Sequence, residues 1–446
     1  MNVDTKADSF TEVLLTLSVP DAPAVGFTVT GSGFPPDSWI WITVEDITTG
    51  TQPVDGPDAF QPGPDGSFTR TGPTVLTCGH TVRANAFVQD VVVATSAAVT
   101  PRCAPPTGTT ADVNATAATK AVHTDLMAAP ERVDHRLVVG QALRGDDFDW
   151  PVSQPITALT DMGLPAPMFV EVDLTTFGVT PEHDTELFTL LRSHAAQGGL
   201  IGFSFHVNTP FNDSGSDHDR NDVDLPRLFD PDNPLTEAGR RWRAQLDRAA
   251  EVLQHFADVD AVVLFRPLHE SNLEYFWWGA WAPEDFQALW RGMFRYLTTT
   301  KDLHNLLWVY SAARNSGGAL SDPLRLYPGA DLVDLVGLDI YDDNLSDAEP
   351  GESGYAAMLT LNKPFGITEY GAADWPEPHD GAVHLPNDRV IKLIKDRYPH
   401  TVLATAWYSR PFGGNGNRWQ ISDKPNPQAL LRDAWAITLQ RRRGSR

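Results

Sequence analysis

Cysteine is almost missing from this chain of 446 residues: only Cys78 and Cys103 occur, both in the same N-terminal stretch. An even count in one segment is expected to form a single disulfide, which places the protein in an oxidising compartment; two buried thiols are the competing reading. Positive charge is also scarce, with 34 Lys and Arg against 58 Asp and Glu and a formal net charge of -24. Such a balance excludes nucleic acid and anionic membrane as expected partners, while a neutral partner feels no repulsion. No run of about 18 apolar residues occurs, so no membrane span is expected. The start, Met1-Asn2-Val3-Asp4, lacks a basic and then apolar leader. A secreted protein whose leader has been removed, acting as a monomer, is the expectation. The closing Arg441-Arg442-Arg443-Gly444-Ser445-Arg446 reads as a solvated tail.

Two compositions divide the rest. Residues 1–103 hold short alternating runs such as Val25-Gly26-Phe27-Thr28-Val29-Thr30 and Trp39-Ile40-Trp41-Ile42-Thr43-Val44. Turn signals at Gly33-Phe34-Pro35-Pro36-Asp37 and Pro62-Gly63-Pro64-Asp65-Gly66 break them, so a small antiparallel β-sandwich is expected. Residues 104–119, beginning Ala104-Pro105-Pro106-Thr107-Gly108, have linker composition. Over residues 120–440, short apolar runs alternate with helical periodicity, the pattern of parallel βα units. Eight strands are expected near Arg136–Leu143, Met168–Leu174, Leu200–His206, Ala261–Pro267, Asn305–Ser311, Val333–Tyr341, Pro364–Tyr370 and Thr401–Tyr408. The intervening helices are marked by Thr180-Pro181, by Thr236 ahead of Trp242, Leu246, Leu253 and Phe256, and by Pro283 ahead of Phe286, Leu289, Trp290, Met293 and Leu297. Eight repeats suit a closed (β/α)8 barrel; an open doubly wound sheet would also alternate, but no Gly-rich phosphate-cradling turn follows the first strand. No cofactor is therefore expected.

A barrel carries its chemistry at the C-terminal ends of its strands. The fourth ends in Phe265-Arg266-Pro267-Leu268-His269-Glu270-Ser271-Asn272, followed by Tyr275-Phe276-Trp277-Trp278-Gly279. A carboxyl set among a histidine and aromatics keeps its proton to higher pH, as an acid catalyst must. The seventh, Lys363-Pro364-Phe365-Gly366-Ile367-Thr368-Glu369-Tyr370-Gly371, brings one carboxylate to the mouth. Strands four and seven face each other, so Glu270 and Glu369 can flank one bond, at about 5 to 5.5 Å for a retaining glycosidase. A single Glu at a strand end is ordinarily a surface or capping residue; two on opposing tips are harder to explain that way. Arg266 can hold a carboxylate bidentately, or form an inward ion pair. Asn272 and Tyr341 are candidates to orient the carboxylates, with a core tyrosine as the plainer role for the latter. Trp407, ending strand eight, is placed to floor the reacting sugar, unless it is simply core. His206, ending strand three, can bond a sugar hydroxyl or a metal.

A metal-dependent hydrolase is the rival reading, since His206, His269, Glu270 and Asp339 all sit at strand tips. Such barrels usually carry His-x-His on the first strand, whereas Leu143-Arg144-Gly145-Asp146 supplies no histidine, so no metal is expected. The acidic loop 213–224 starts like a calcium loop at Asp217, Asp219 and Asn221, but Asp222 takes the glycine position and no glutamate closes it. A solvated loop is the expectation. Asn114, Asn212 and Asn344 begin glycosylation-type triplets that decide nothing.

The string from Arg266 to Asn272 with Phe276-Trp277-Trp278-Gly279 resembles the acid/base signature of glycoside hydrolase family 26. The likeness extends to Pro364-Phe365 with Thr368-Glu369-Tyr370-Gly371, to Asp339 and Tyr341 on strand six and to Trp407. It implies a retaining double displacement with Glu270 as acid/base and Glu369 as nucleophile. By the same resemblance His269 supports the acid, Tyr341 bonds the nucleophile, and His206 and Trp407 contact the sugar. Asp339 and the aromatics Tyr275, Phe276, Trp277 and Trp278 are candidates for the substrate site, with no more than two of Phe276, Trp277, Trp278 and Trp281 expected to touch ligand and the others to pack the barrel top. The partner implied is a β-linked polysaccharide or oligosaccharide, most often β-1,4-mannan, in other members β-1,3-xylan or mixed-linkage β-glucan. Mannanases of the family usually read Trp-Phe-Trp-Trp-Gly; this chain has Tyr275 in the first place, which puts the polymer in question more than the mechanism. The N-terminal sandwich resembles the immunoglobulin-like modules attached to such enzymes, as a spacer or a glycan binder.

Overall fold

The computed structural model describes residues 13–19, 27–47, 51–55, 59–72, 81–89, 91–99, 109–144, 151–178, 181–212, 223–279, 281–314, 322–347, 353–373, 385–409 and 418–439. Cys78, Cys103, the acidic residues 213–222, Thr180 and the basic tail lie outside them.

The chain divides into two units, Met1–Pro105 and Pro106–Arg446. In the first, β1 (Leu14–Ser18), β2 (Phe27–Ser32), β3 (Ile40–Asp46), β4 (Thr51–Asp55), β5 (Phe68–Gly72), β6 (Val82–Val88) and β7 (Val91–Thr95) form two antiparallel sheets, ordered β1-β2-β5 and β4-β3-β6-β7. Alternate residues turn inward, as on β1, where Leu15 and Leu17 are buried between exposed neighbours. They meet Val29, Ile40, Ile42, Val44, Val82 and Ala84 in a core fed by both sheets, which makes the unit a sandwich. Its proline-glycine turn needs its glycine: Gly66 has φ +75, and a Cβ there would lie 2.4 Å from the Phe34 carbonyl oxygen.

In the second unit, β8 (Leu137–Ala142), β9 (Phe169–Asp173), β10 (Leu200–Phe205), β11 (Val263–Pro267), β12 (Leu306–Ala313), β13 (Leu335–Tyr341), β14 (Phe365–Gly371) and β15 (Thr401–Ala406) run parallel in sequence order. β15 pairs with β8 through Leu403 opposite Val138 and Thr405 opposite Gly140, closing an eight-stranded barrel. Each strand begins and ends within two residues of its expected bounds. The short β16 (Ala436–Ile437) joins β8 from outside the ring.

Helices α1 (Ala117–Ala128), α2 (Gln154–Asp161), α3 (Pro181–Ala196), α4 (Glu237–Ala257), α5 (Pro283–Arg295), α6 (Gly354–Leu359), α7 (Asn387–Arg397) and α8 (Pro427–Leu431) accompany the strands. α4 starts where Thr236 accepts a hydrogen bond from the Gly239 amide at 3.0 Å, and its Trp242, Leu246, Leu253 and Phe256 are buried, as their spacing requires. α5 buries Phe286, Leu289, Trp290 and Met293, then runs into a π-turn that buries Leu297.

One boundary differs from its reading in the sequence. Residues 109–119, read as linker, belong to the barrel unit: the Ala111 amide donates to Asp334 at 2.6 Å, the Thr116 amide to the His304 carbonyl at 2.9 Å, and Asp112 pairs with His304 at 2.6 Å. Small residues were the ambiguous signal, because alanine favours helix as readily as it fills a spacer. Here Thr116 caps α1 by accepting from the Thr119 amide at 3.2 Å.

Candidate active site

Arg266, at the end of β11, points into the barrel and is almost wholly buried. Its guanidinium meets three carboxyls. Nε and one terminal nitrogen donate to the two oxygens of Glu171 at 2.9 and 3.0 Å, a bidentate pair. The same terminal nitrogen donates to Glu369 at 2.5 Å, and the other reaches Asp339 at 3.1 Å. Burial works against its charge, yet the three acids raise its pKa further. Arg266 is thus both the inward ion pair and the carboxylate holder that its sequence position allowed.

Glu369, on β14, receives its second donor from Tyr341, whose hydroxyl lies 2.6 Å from the other carboxylate oxygen. Burial, then the neighbouring Glu369 charge, pushes the Tyr341 phenol well up, so it stays protonated and donates to that oxygen. A donor on each oxygen fixes the plane of the carboxylate. Across from it, Glu270 has its carboxyl raised well above the usual range, by burial first and then by Asp339 and Glu369. It stays protonated where Glu369 is expected to act as a carboxylate. The backbone presents it in the left-handed region, φ +51, with its amide bound to the Ser311 carbonyl at 2.9 Å. Asn272 holds that turn from behind, exchanging hydrogen bonds of 3.1 and 2.9 Å with the backbone of Ala313 at the end of β12.

Two histidines differ in charge. His206 donates from Nδ1 to Asp173, the last residue of β9, which also accepts from the His206 amide and the Ser204 hydroxyl at 3.0 Å each and from Thr175. Burial opposes the imidazolium, but the Asp173 charge outweighs it and raises the His206 pKa. Asp173 itself, despite burial, is held down to about 2 by His206 and its other donors. His269 touches His206 edge-on, ring centroids 4.3 Å apart, and sits 4.0 Å from Glu369. Burial, His206 and Arg266 all lower its pKa, so it is neutral. Ligand atoms of His269, Asp339 and Glu369 lie within 4.8 Å of one another, but Arg266 already donates to both acids. A cation held there by the protein itself is a poor fit for a metal site.

The aromatics sort by exposure. Tyr275 is 57% exposed, whereas Trp277 and Trp278, expected among the substrate contacts, are fully buried. Their indole N–H groups are spent on the Val207 and His269 carbonyls, both at 2.8 Å, so they shape the barrel top instead. Phe276 stacks on Trp278 at 4.4 Å and meets His206 edge-on at 5.5 Å. Trp407, only 8% exposed, packs with Trp419 and Tyr408 within 6.5 Å of His206. Asp339, expected to meet substrate, is 1% exposed beneath Glu369, bonded to Arg266, Ser311 and Thr368. Because each of its oxygens is occupied, it supports the site from below. Glu171 and Asp173 were missed. Their signal was two acids on alternate positions of an otherwise apolar strand, Phe169-Val170-Glu171-Val172-Asp173, which the strand period turns into the barrel.

A polar layer of this kind, closed inside an eight-stranded barrel and offering one protonated and one ionisable carboxyl, is the equipment of a glycoside hydrolase. Residues 111–441 match Glycosyl hydrolase family 26, and the chain belongs to that family. A mannan endo-1,4-beta-mannosidase of Bacillus subtilis (strain 168) is 30% identical over 340 residues, covering 73% of this chain and 86% of the relative. The mannan endo-1,4-beta-mannosidase A and B of Caldalkalibacillus mannanilyticus is 34% identical over 249 residues, 54% of this chain; the match spans 44% of that longer relative. The solved structure of Bacillus subtilis mannanase man26 superposes with a TM-score of 0.62 at 26% identity, over 74% of this chain and 95% of that one.

Proposed function

We propose that the chain is an endo-acting retaining β-mannanase that cleaves β-1,4-mannosidic bonds by double displacement. The observation that carries this reading is the unequal treatment of two carboxyls: Glu270 is kept protonated chiefly by burial, while Glu369 takes one donor on each oxygen. Glu270 protonates the departing glycosidic oxygen as Glu369 attacks the anomeric carbon. Water, deprotonated by Glu270, then hydrolyses the glycosyl-enzyme. The acids gathered around Arg266 face the reacting centre with negative potential suited to an oxocarbenium-like transition state. His206 offers Nε2 to a sugar hydroxyl, and Trp407 lines the subsite of the reacting sugar.

The relatives above, named for mannan cleavage, support mannan as the polymer. Tyr275 keeps β-1,3-xylan and mixed-linkage β-glucan as the second reading. Secretion, a Cys78–Cys103 disulfide and a spacer role for the sandwich complete the proposal. The test is reducing-sugar release with product sizing on the three polymers, alongside Glu369→Ala. Mannan cleavage that vanishes in the variant while binding persists is the expected result. Turnover of unactivated polysaccharide by the variant refutes the assignment, and activity on another polymer alone transfers the specificity.

A further inference from the structure

Serine and threonine hydroxyls each bring one proton to a hydrogen-bond network. Beneath the nucleophile, Ser311 Oγ lies 2.8 Å from Asp339 Oδ1, Thr368 Oγ1 lies 2.7 Å from the same oxygen, and the two hydroxyls are 2.7 Å apart. Three contacts close a triangle, but the hydroxyls supply two protons. If Asp339 were ionised, one edge would press lone pair against lone pair in a dry site.

Charge leads to the same place. Glu171, Asp339 and Glu369 share a single guanidinium, and three charges of one sign against one of the other are unfavourable away from water. Protonation of one acid relieves the excess. Glu171 cannot take the proton without losing its bidentate pair, since both oxygens face N–H groups that only donate. Glu369 faces such an N–H on one oxygen and the phenol of Tyr341 on the other. The phenol could accept in turn, but only at Asp339 Oδ1 does an added proton supply the missing third edge of the triangle. Its other oxygen makes the longest of the Arg266 contacts, 3.1 Å, as suits a neutral acceptor.

We propose that Asp339 is a neutral carboxylic acid in the working enzyme, a positioning residue that donates into the Ser311–Thr368 pair and leaves the charge of Arg266 to Glu171 and Glu369. The direction of its titration agrees: burial, then the Glu369 charge, raises it to about 8 against the pull of Arg266, Thr368 and Ser311. Other groups that feel its charge are Glu270 and Tyr341, both raised further when it ionises. A neutral acid keeps a second negative charge away from the nucleophile.

The functional half of this inference rests on Glu369 as nucleophile; the protonation itself does not. It is tested first by infrared spectroscopy of the whole chain labelled with 13C at the aspartate carboxyls. At pH 7 a shifted acid carbonyl band is expected, lost as the pH passes about 8. Asp334, raised only to about 6, is mostly ionised there, and Glu270 carries no label. A labelled spectrum without that band overturns the proposal, and needs no variant. The second test is Asp339→Asn, whose amide keeps an acceptor for Arg266 and a donor for the hydroxyls. It is expected to lack the band and to hold kcat/KM near neutral pH within about tenfold of the wild type. A loss as deep as that of Glu369→Ala overturns the neutral-acid role even if the band is present. Residual full activity in Glu369→Ala overturns the nucleophile reading and leaves the band unaffected.

Discussion

Replacing Asp173 with Asn removes a charge and turns one of its two accepting oxygens, the one facing the Thr175 amide, into an N–H donor. The side chain keeps its shape, and its oxygen can still accept from His206 Nδ1. The loss can be sized from the carboxyl's own titration, which the fold moves from 3.8 to about 2. At roughly 1.4 kcal/mol per pKa unit, that is about 2 kcal/mol of stability. Its sign follows from the direction: a depressed acid stabilises the fold above its unfolded value and loses that contribution as pH falls through the folded one. His206 is the mirror image, raised above 6.5, so its share is complete below 6.5 and fades as pH rises through the folded value. The two shifts describe one pair and are not summed. The wild type should exceed Asp173→Asn in unfolding free energy by about 2 kcal/mol between roughly pH 4 and 6.5, and by less on either side. Denaturant titrations across that range measure it. Catalysis supplies the sharper reading. Without Asp173, burial and Arg266 favour the neutral ring and only the Glu369 charge opposes them. The basic limb of kcat/KM should move to lower pH. An unchanged pH profile, whatever happens to stability, refutes the claim that Asp173 sets the charge of His206.

Tyr341→Phe deletes the 2.6 Å donor to Glu369, and hydrogen bonds to charged groups are worth about 1.5 to 3 kcal/mol, so kcat/KM should fall by about 10- to 100-fold. Steady-state kinetics on a mannan oligosaccharide measures it, with thermal unfolding as the control for damage to the fold. Tyr275→Ala, at an exposed position, should change stability by no more than about 0.5 kcal/mol. If Tyr275 contacts substrate, KM and product lengths shift while kcat on a small activated glycoside holds.

Much of this was legible in the sequence because apolar strands between periodic helices leave few arrangements for a chain of this length. The eight barrel strands could be placed closely for that reason, and Glu270 and Glu369 stood out as polar residues ending apolar runs. The residues beneath them were harder to see. Glu171 reads as an interior defect of β9 until the barrel closes and brings it within 3.0 Å of Arg266, 95 positions away in sequence. Ser311 and Thr368 are unremarkable within their strands, and their meaning lies in a triangle drawn from β12, β13 and β14. Trp277 and Trp278 misled for the opposite reason. An aromatic next to a catalytic acid resembles a sugar platform, but local sequence does not say whether the indole N–H finds a backbone carbonyl, and in both cases it does.

The turn that carries Glu270 contains two side chains in a conformation that suits glycine, since Leu268 has φ +50 and Glu270 φ +51. Each such residue costs of order 1 kcal/mol, and neither site is free to relax: Leu268 is buried in the core and Glu270 must carry its acid. Attempts to make this protein withstand heat should therefore leave that turn alone. Helix ends, surface loops and the sandwich offer positions where added rigidity does not compete with activity, and a consensus search that optimised every residue for its backbone would remove the acid catalyst first.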